Sequence, residues 1–281
     1  MKILITGSTG NVGQTVLKKF QTNHKDIAIT AAVREINRGR KKLGTSQDFV
    51  EFDLEMKIYP KVEFDAIFLV RPPQIADPAL FETFLRGLHP DTKIVFLSVQ
   101  GAESRAYLPH AKIERVIRSL GLPHCFLRPS YFMENLTTTL WGELSSNKRI
   151  FMPSADLAFN WIAIEDIAEI AAMALVGDVS QTEVTLTNLH WHTFGEIIDL
   201  INRQCGTELT YQSPSMLRYV AYNIRQGEPF SYTLVMLLLH FLPRFSRNRD
   251  PVSDDFVKLT GRPPIEIEAF IAAHCDRFNT I

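Results

Sequence analysis

Cysteine is scarce in this 281-residue chain. Cys125, Cys205 and Cys275 are odd in number, widely spaced and without a C-x-x-C pair. The sequence therefore indicates neither a disulfide scaffold nor a zinc site, no metal is expected, and a reducing compartment fits best. A surplus of charge of either sign is missing as well: 30 Lys and Arg stand against 31 Asp and Glu, a formal net charge of -1. That removes the electrostatic ground for bulk nucleic-acid binding, which needs a basic excess. Long hydrophobic runs are absent too. The apolar N-terminal residues are broken by Thr6 and Gly7 before a signal-peptide core can form. The most lipid-like stretch, Pro229 to Pro243, is uncharged but shorter than the roughly 20 helical residues that span a bilayer. No membrane partner and a cytoplasmic location are expected. Neither an internal repeat nor a low-complexity segment is present, and 46% hydrophobic residues exclude disorder and suffice for one large core or two modest ones.

What is there alternates. Lys2–Thr6 reads as a strand, Val12–Gln21 as a helix and Ile27–Val33 as a second strand, the βαβ pattern of a parallel sheet. Further buried strands are expected at Phe49–Asp53, Ala66–Val70, Ile94–Ser98 and Cys125–Arg128, with helices near Pro78–Leu88 and His110–Leu120. The fold class is α/β, a Rossmann-type doubly wound parallel sheet. Beyond Pro129 the rhythm changes: helices are expected from Tyr131 towards Ser145, at Glu165–Val176, Phe194–Cys205, Met216–Gln226, Tyr232–Phe241 and Ile265–Arg277, with strands at Glu183–Thr187 and Leu209–Gln212. This gives a nucleotide-binding domain over 1–150, to which 160–190 return, and a smaller C-terminal α+β substrate domain over 191–281, interleaved with 131–160. Arg244–Asp254, with Arg244, Arg247 and Arg249, reads as a polar linker.

Gly7-Ser8-Thr9-Gly10-Asn11-Val12-Gly13 follows a strand and opens a helix, the context that gives a glycine spacing a mechanism. Gly7 allows the tight turn, Gly10 lets backbone N–H groups approach a pyrophosphate, and Gly13 lets helix and strand pack closely. The helix N-terminus then stabilises the phosphate charge. No Lys-Ser/Thr follows, which disfavours a P-loop NTPase. At the end of the second strand stands Arg34, where an acidic residue would read a free ribose 2′-hydroxyl. A charge-assisted bond from Arg34 to a 2′-phosphate, about 1.5–3 kcal/mol, favours NADP over NAD roughly ten- to a hundredfold. Arg38, Arg40, Lys41 and Lys42 read as a solvated face. Asp53 could accept from the adenine amino group or cap a turn.

These residues, together with Phe96-Leu97-Ser98, the Glu114 to Gly121-Leu122-Pro123 helix end, Leu127-Arg128-Pro129-Ser130-Tyr131-Phe132-Met133-Glu134-Asn135-Leu136, Glu165-Asp166-Ile167-Ala168 and Thr260-Gly261-Arg262-Pro263-Pro264, resemble the NmrA-like branch of the atypical short-chain dehydrogenases/reductases. The pattern is nearest to that branch's NADPH-dependent quinone oxidoreductase group. The resemblance implies an NADP(H)-binding domain with a C-terminal substrate domain. Gly7, Thr9, Gly10, Asn11 and Val12 would hold the pyrophosphate, Arg34 the 2′-phosphate and Asp53 the adenine, and Val70, Arg71 and Pro72 would border the riboses. Ser98, Pro129, Tyr131 and Phe132 would face the nicotinamide.

Reductases of the wider superfamily place a Tyr four residues before a Lys on one helix face, the Lys lowering the Tyr pKa. Here the pair is missing. Anchoring on Glu114 and Gly121 puts His110 at the Lys position and Ala106 at the Tyr position, anchoring on Lys112 puts Leu108 there, and Tyr107 is out of phase. His110 is expected to take over ribose binding, since a ring nitrogen can donate to a hydroxyl and carry charge near neutral pH. His110 and Tyr131 are the candidate catalytic residues. Without a tuned acid, the chemistry favours apolar acceptors that need little protonation: quinones, whose reduced oxyanion has a phenol-like pKa of about 10, activated enones, or iminium ions. A non-catalytic NADP(H) sensor of the NmrA type is the alternative. The aromatic and aliphatic residues from Tyr219 to Phe241 could wall the substrate pocket, be ordinary core, or form a homodimer contact.

Overall fold

The computed structural model describes residues 1–23, 26–45, 47–245 and 249–281. Arg247 of the polar linker lies outside the described residues. In chain order the elements are β1 (Lys2–Ile5), α1 (Asn11–Asn23), β2 (Ala28–Val33), α2 (Ile36–Leu43), β3 (Asp48–Glu51), β4 (Ala66–Val70), α3 (Pro78–Leu85), β5 (Lys93–Leu97), α4 (Pro109–Ser119) and β6 (His124–Pro129). There follow β7 (Tyr131–Phe132), α5 (Trp141–Asn147), β8 (Arg149–Phe151), β9 (Ala158–Ile162), α6 (Ile164–Val176), β10 (Glu183–Leu186), β11 (Trp191–Thr193) and α7 (Phe194–Cys205). The last are β12 (Thr210–Gln212), α8 (Met216–Arg225), α9 (Phe230–His240), α10 (Asp255–Thr260), α11 (Ile267–Ala273) and α12 (Cys275–Phe278).

Two compact units divide the chain. Unit 1 comprises Met1–Ser130, Ile164–Thr187 and Ser253–Pro263, and unit 2 comprises Tyr131–Ala163, Asn188–Val252 and Pro264–Ile281. Unit 1 is built on a seven-stranded sheet of order β10-β6-β5-β4-β1-β2-β3, parallel throughout. This is the doubly wound α/β fold, with the strand order reversing between β1 and β4. Both faces are covered, so the strands read as apolar runs without polar alternation. Ile67, Leu69 and Phe96 share one core with Phe81 and Phe84 of α3 and Ile113 and Ile117 of α4. The other face takes α6, which packs on β4, β5, β6 and α1. The C-terminal segment of unit 1 is tied in by Arg262, whose Nη2 donates to Asp166 Oδ1 at 3.0 Å and Glu169 Oε2 at 2.6 Å.

Unit 2 holds two small sheets, β11-β9-β7 and β12-β8, around a core that includes Leu136, Leu144, Trp161, Phe194, Ile201 and Phe270. Three expectations fail here. The helix from Tyr131 towards Ser145 does not form: Tyr131 and Phe132 pair with Trp161 and Ile162 as β7, a 3₁₀ turn follows at Met133–Thr137, and α5 begins only at Trp141. Leu136, Leu140 and Leu144 join the core of unit 2, and the first segment of unit 1 runs to Ser130. The terminal helix is interrupted at His274 between α11 and α12. Finally, Cys205 and Cys275 form a disulfide across 70 residues of sequence, leaving Cys125 free and buried. The pairing was hidden in the spacing because the fold of unit 2 alone brings the end of α7 to the start of α12, and it removes the cysteine argument for a reducing compartment.

Candidate functional site

The loop after β1 sits beside the strand reversal. Thr6 Oγ1 donates to Phe68 O at 2.9 Å and accepts from Val70 N at 2.8 Å, pinning the ends of β1 and β4 together. Gly7 turns the chain at φ 60°, a conformation favoured by glycine. Ser8, fully buried, donates through its hydroxyl to Ala32 O at 2.7 Å, and Gly10 N closes the turn on Gly7 O at 2.8 Å. A Cβ on Gly13 would lie 2.3 Å from Gly7 O, so a side chain there cannot coexist with this loop. Thr9 is half-buried, Gly10 and Asn11 are exposed, and Val12 is buried at the start of α1. The result is a cradle of backbone facing outward at a helix N-terminus, of the kind that takes phosphate.

Arg34, at the end of β2, is exposed, with Nε 3.6 Å from Asp53 Oδ2. Asp53 uses its other oxygen as a cap, Oδ1 accepting from the N–H groups of Glu55 and Met56, each at 2.9 Å. Of the two roles open to Asp53, the turn cap is thus realised, and its second oxygen orients Arg34. Arg38, Arg40, Lys41 and Lys42 are exposed on α2, three of them in its last turn, where the helix dipole favours cations.

At the end of β4, Arg71 is locked in place. Its Nη1 donates to the carbonyls of Pro72, Pro73 and Ile75 at 3.1, 3.0 and 2.8 Å, and its Nε donates to His110 Nε2 at 3.2 Å. Burial lowers the Arg71 pKa. The His110 ring accepts this bond at Nε2, which puts its proton on Nδ1. Burial first, and the Arg71 charge second, lower the His110 pKa to about 3, and its position at the start of α4 also disfavours a cation. The expectation that His110 carries charge near neutral pH is therefore overturned: it is a neutral donor through Nδ1. Ala106 and the out-of-phase Tyr107 are exposed and precede α4, and Leu108 is its N-cap, so neither register of the missing Tyr lies within the helix.

Ser98, after β5, is also committed. Its hydroxyl donates to Glu114 Oε1 at 2.6 Å, and Arg128 donates to the same carboxylate through Nε at 3.0 Å and Nη2 at 2.7 Å. Nη1 of Arg128 reaches Glu183 at 2.6 Å. Burial would lower the Arg128 pKa, but bonds to Glu114 and then Glu183 outweigh it and raise it. This network joins α4, β6 and β10 beneath Pro129, which is buried at the end of β6.

In unit 2, Tyr131 packs against Phe159 and Trp161, ring centroids 5.2 and 4.7 Å apart. Its hydroxyl meets Nε2 of His240 at 3.2 Å, while His240 Nδ1 meets Met236 O at 2.9 Å. A carbonyl can only accept, so Nδ1 donates there and Nε2 accepts from the phenol. Burial lowers the His240 pKa to about 4 despite the Met236 bond. Burial, then the neighbouring Tyr232 and Tyr219, raise that of Tyr131. Phe132 is half-buried in the adjacent strand position. Sequence reasoning missed His240, 109 residues from its partner; a lone His inside the uncharged 229–243 stretch was the available signal.

Comparison with known proteins places this geometry. The uncharacterized oxidoreductase YesF of Bacillus subtilis is 27% identical over 280 residues, covering 97% of this chain and 94% of its own. Two solved structures share the fold. One is the Citrobacter sp. triphenylmethane reductase complexed with NADP(H), with a TM-score of 0.78 and 17% identity over 98% of this chain and 100% of that one. The other is the NADPH-dependent quinone oxidoreductase QOR2 of Escherichia coli complexed with NADPH, with a TM-score of 0.79 and 17% identity over 96% and 99%. The model of the NmrA-like family matches residues 96–244, more than half of the sequence. The chain belongs to the NmrA-like family.

Proposed function

We propose that the protein is an NADPH-dependent oxidoreductase acting on a quinone-like or otherwise activated small-molecule acceptor. The observation that carries the reading is the Gly7–Gly13 cradle, closed to any Cβ at Gly13, with exposed Arg34 at the end of the next strand. When bound, NADPH supplies the hydride. Gly7, Thr9, Gly10, Asn11 and Val12 hold its pyrophosphate, and Arg34, oriented by Asp53, takes the 2′-phosphate. Val70, Arg71 and Pro72 border the riboses, with Arg71 fixing the loop rather than reaching out. His110 donates from Nδ1 to a ribose hydroxyl as a neutral ring. Ser98 and Pro129 of unit 1 are the candidates to flank the nicotinamide; in unit 2, Tyr131 is by itself the candidate to orient an acceptor, with Phe132 beside it in β7.

The acceptor class follows from what the side chains can do with a proton. The Tyr131 phenol is already spent on His240, and its pKa is raised, not lowered, so it is no tuned acid. An isolated ketone, whose reduction develops a strongly basic alkoxide, is poorly served by such a group. A quinone, leaving an oxyanion of phenol-like pKa near about 10, is served by water or a single hydrogen bond. The test is cofactor titration followed by NADPH oxidation with quinones, enones and imines. Arg34→Ala is expected to weaken NADPH roughly ten- to a hundredfold and NADH little; equal weakening would remove Arg34 from the 2′-phosphate. Tight cofactor binding with no turnover on any acceptor would instead support a sensor.

A further inference from the structure

The uncharged 229–243 stretch meets the candidate site through His240 and Tyr131, and its other side is a separate surface. In α9, Thr233 and His240 are buried and Met236 and Leu237 pack on the core of unit 2. The opposite side faces solvent: Phe230 is 64% exposed, Leu234 46%, Leu238 50% and, past the helix end, Leu242 51%. These four recur every fourth residue and so form one stripe along the helix. Val235 and Leu239 widen it, Phe245 extends it, and Leu217 and Ile224 of the adjoining α8 are similarly exposed. A monomer seldom exposes so many contiguous large apolar side chains without a partner.

The charged residues next to the patch are mostly basic. Among the described residues from Met216 to Asp250, Arg218, Arg225, Arg244 and Arg249 stand against Glu228 and Asp250, in a chain of net charge -1. Arg218, Arg225, Arg244 and Arg249 are exposed. A second copy docked symmetrically would set these like charges against one another, whereas an anionic surface would pair with all of them. Among the described residues no helix is long and apolar enough to cross a membrane, but lying in the headgroup plane needs an amphipathic face with basic flanks and no spanning length. The expectation of no membrane partner rested on the span alone.

We propose that the α8–α9 face of unit 2 is a docking surface for an anionic lipid bilayer, its apolar stripe entering the acyl boundary and its arginines lying among the headgroups. The proposal does not depend on the reading of unit 1. It is tested by co-sedimenting the full chain with vesicles of phosphatidylcholine alone or mixed with phosphatidylglycerol. Wild type is expected to partition onto the anionic vesicles, weakly onto the neutral ones, and less as salt rises. Leu234→Glu/Leu238→Glu should abolish partition with an unchanged thermal midpoint, because both side chains are exposed, and Arg244→Glu/Arg249→Glu should reduce it at least about tenfold. Absence of wild-type partition, equal affinity for the two vesicle types, or retained binding by the Leu variant overturns the proposal. A dimer in solution that Leu234→Glu/Leu238→Glu splits, without vesicle binding, assigns the face to a second copy instead.

Discussion

In unit 1 the buried Arg128 meets the carboxylates of Glu114 and Glu183, and His110 meets the guanidinium of Arg71. In unit 2 the buried His240 meets a phenol and a carbonyl, and the hydroxyl of Thr233, two turns away on the same helix, is buried with no hydrogen-bond partner. Unit 1 thus encloses a guanidinium offset by two carboxylates, which ties α4, β6 and β10 together. Unit 2 encloses neutral polar groups in aromatic surroundings and turns its apolar excess outward. A charged cofactor suits the first arrangement. An apolar acceptor, or a lipid surface, suits the second.

The comparison breaks most decisively at Gly13. Gly13→Ala forces a Cβ against Gly7 O and is expected to abolish NADPH binding, a loss of more than about a hundredfold by titration, while vesicle partition by unit 2 persists. Loss of both together would mean that the two units do not behave separately. The disulfide is the next lever: Cys205→Ser opens a 70-residue loop and should cost about 4 kcal/mol. It should lower the thermal midpoint under non-oxidising and oxidising conditions alike, whereas wild type falls to the same value only with a dithiol reductant.

The pH dependence separates the two histidines. Each has a folded pKa below its unfolded value near about 6.5, so each contributes stability that is complete above that pH and is lost as pH falls through the folded pKa. For His240 the loss runs from about 6.5 to about 4 and amounts to about 3 kcal/mol; for His110 it continues to about 3. His240→Phe should flatten the upper part of the acid limb in a series of melts and leave the lower part. The smallest effect is expected at Thr233: Thr233→Val removes an unpaired buried hydroxyl while keeping the shape, and should be neutral or stabilising by about 1 kcal/mol in chemical denaturation.

Legibility in the sequence follows the same division. β4 was read to the residue and β1, β2 and β5 within one position, because strands buried on both faces are continuous apolar runs, and the cofactor loop is set by local backbone geometry that glycine spacing records. In unit 2, β8, β9 and β11 went unread, since three to five residues are too few to carry a period and their partners lie far off in sequence. The Tyr131–His240 contact and the Cys205–Cys275 bond exist only once that unit has folded. The charge state of His110 was misread because it depends first on burial in the folded chain and second on Arg71, 39 residues upstream.

β10 is the outermost strand of the large sheet, and its free edge is covered late. Thr185 N donates to Asp255 Oδ2 at 2.8 Å and Ser253 N to Thr187 Oγ1 at 2.9 Å. On the ribosome this cover emerges about 70 residues after the strand it protects, an interval of several seconds at roughly 5–20 residues per second. Throughout it, a row of unpaired backbone groups is available to any other nascent strand. A transcript truncated ahead of Ser253 would yield a chain with its whole cofactor loop intact and an open, adhesive sheet edge, so its fate would be decided by aggregation rather than by loss of chemistry.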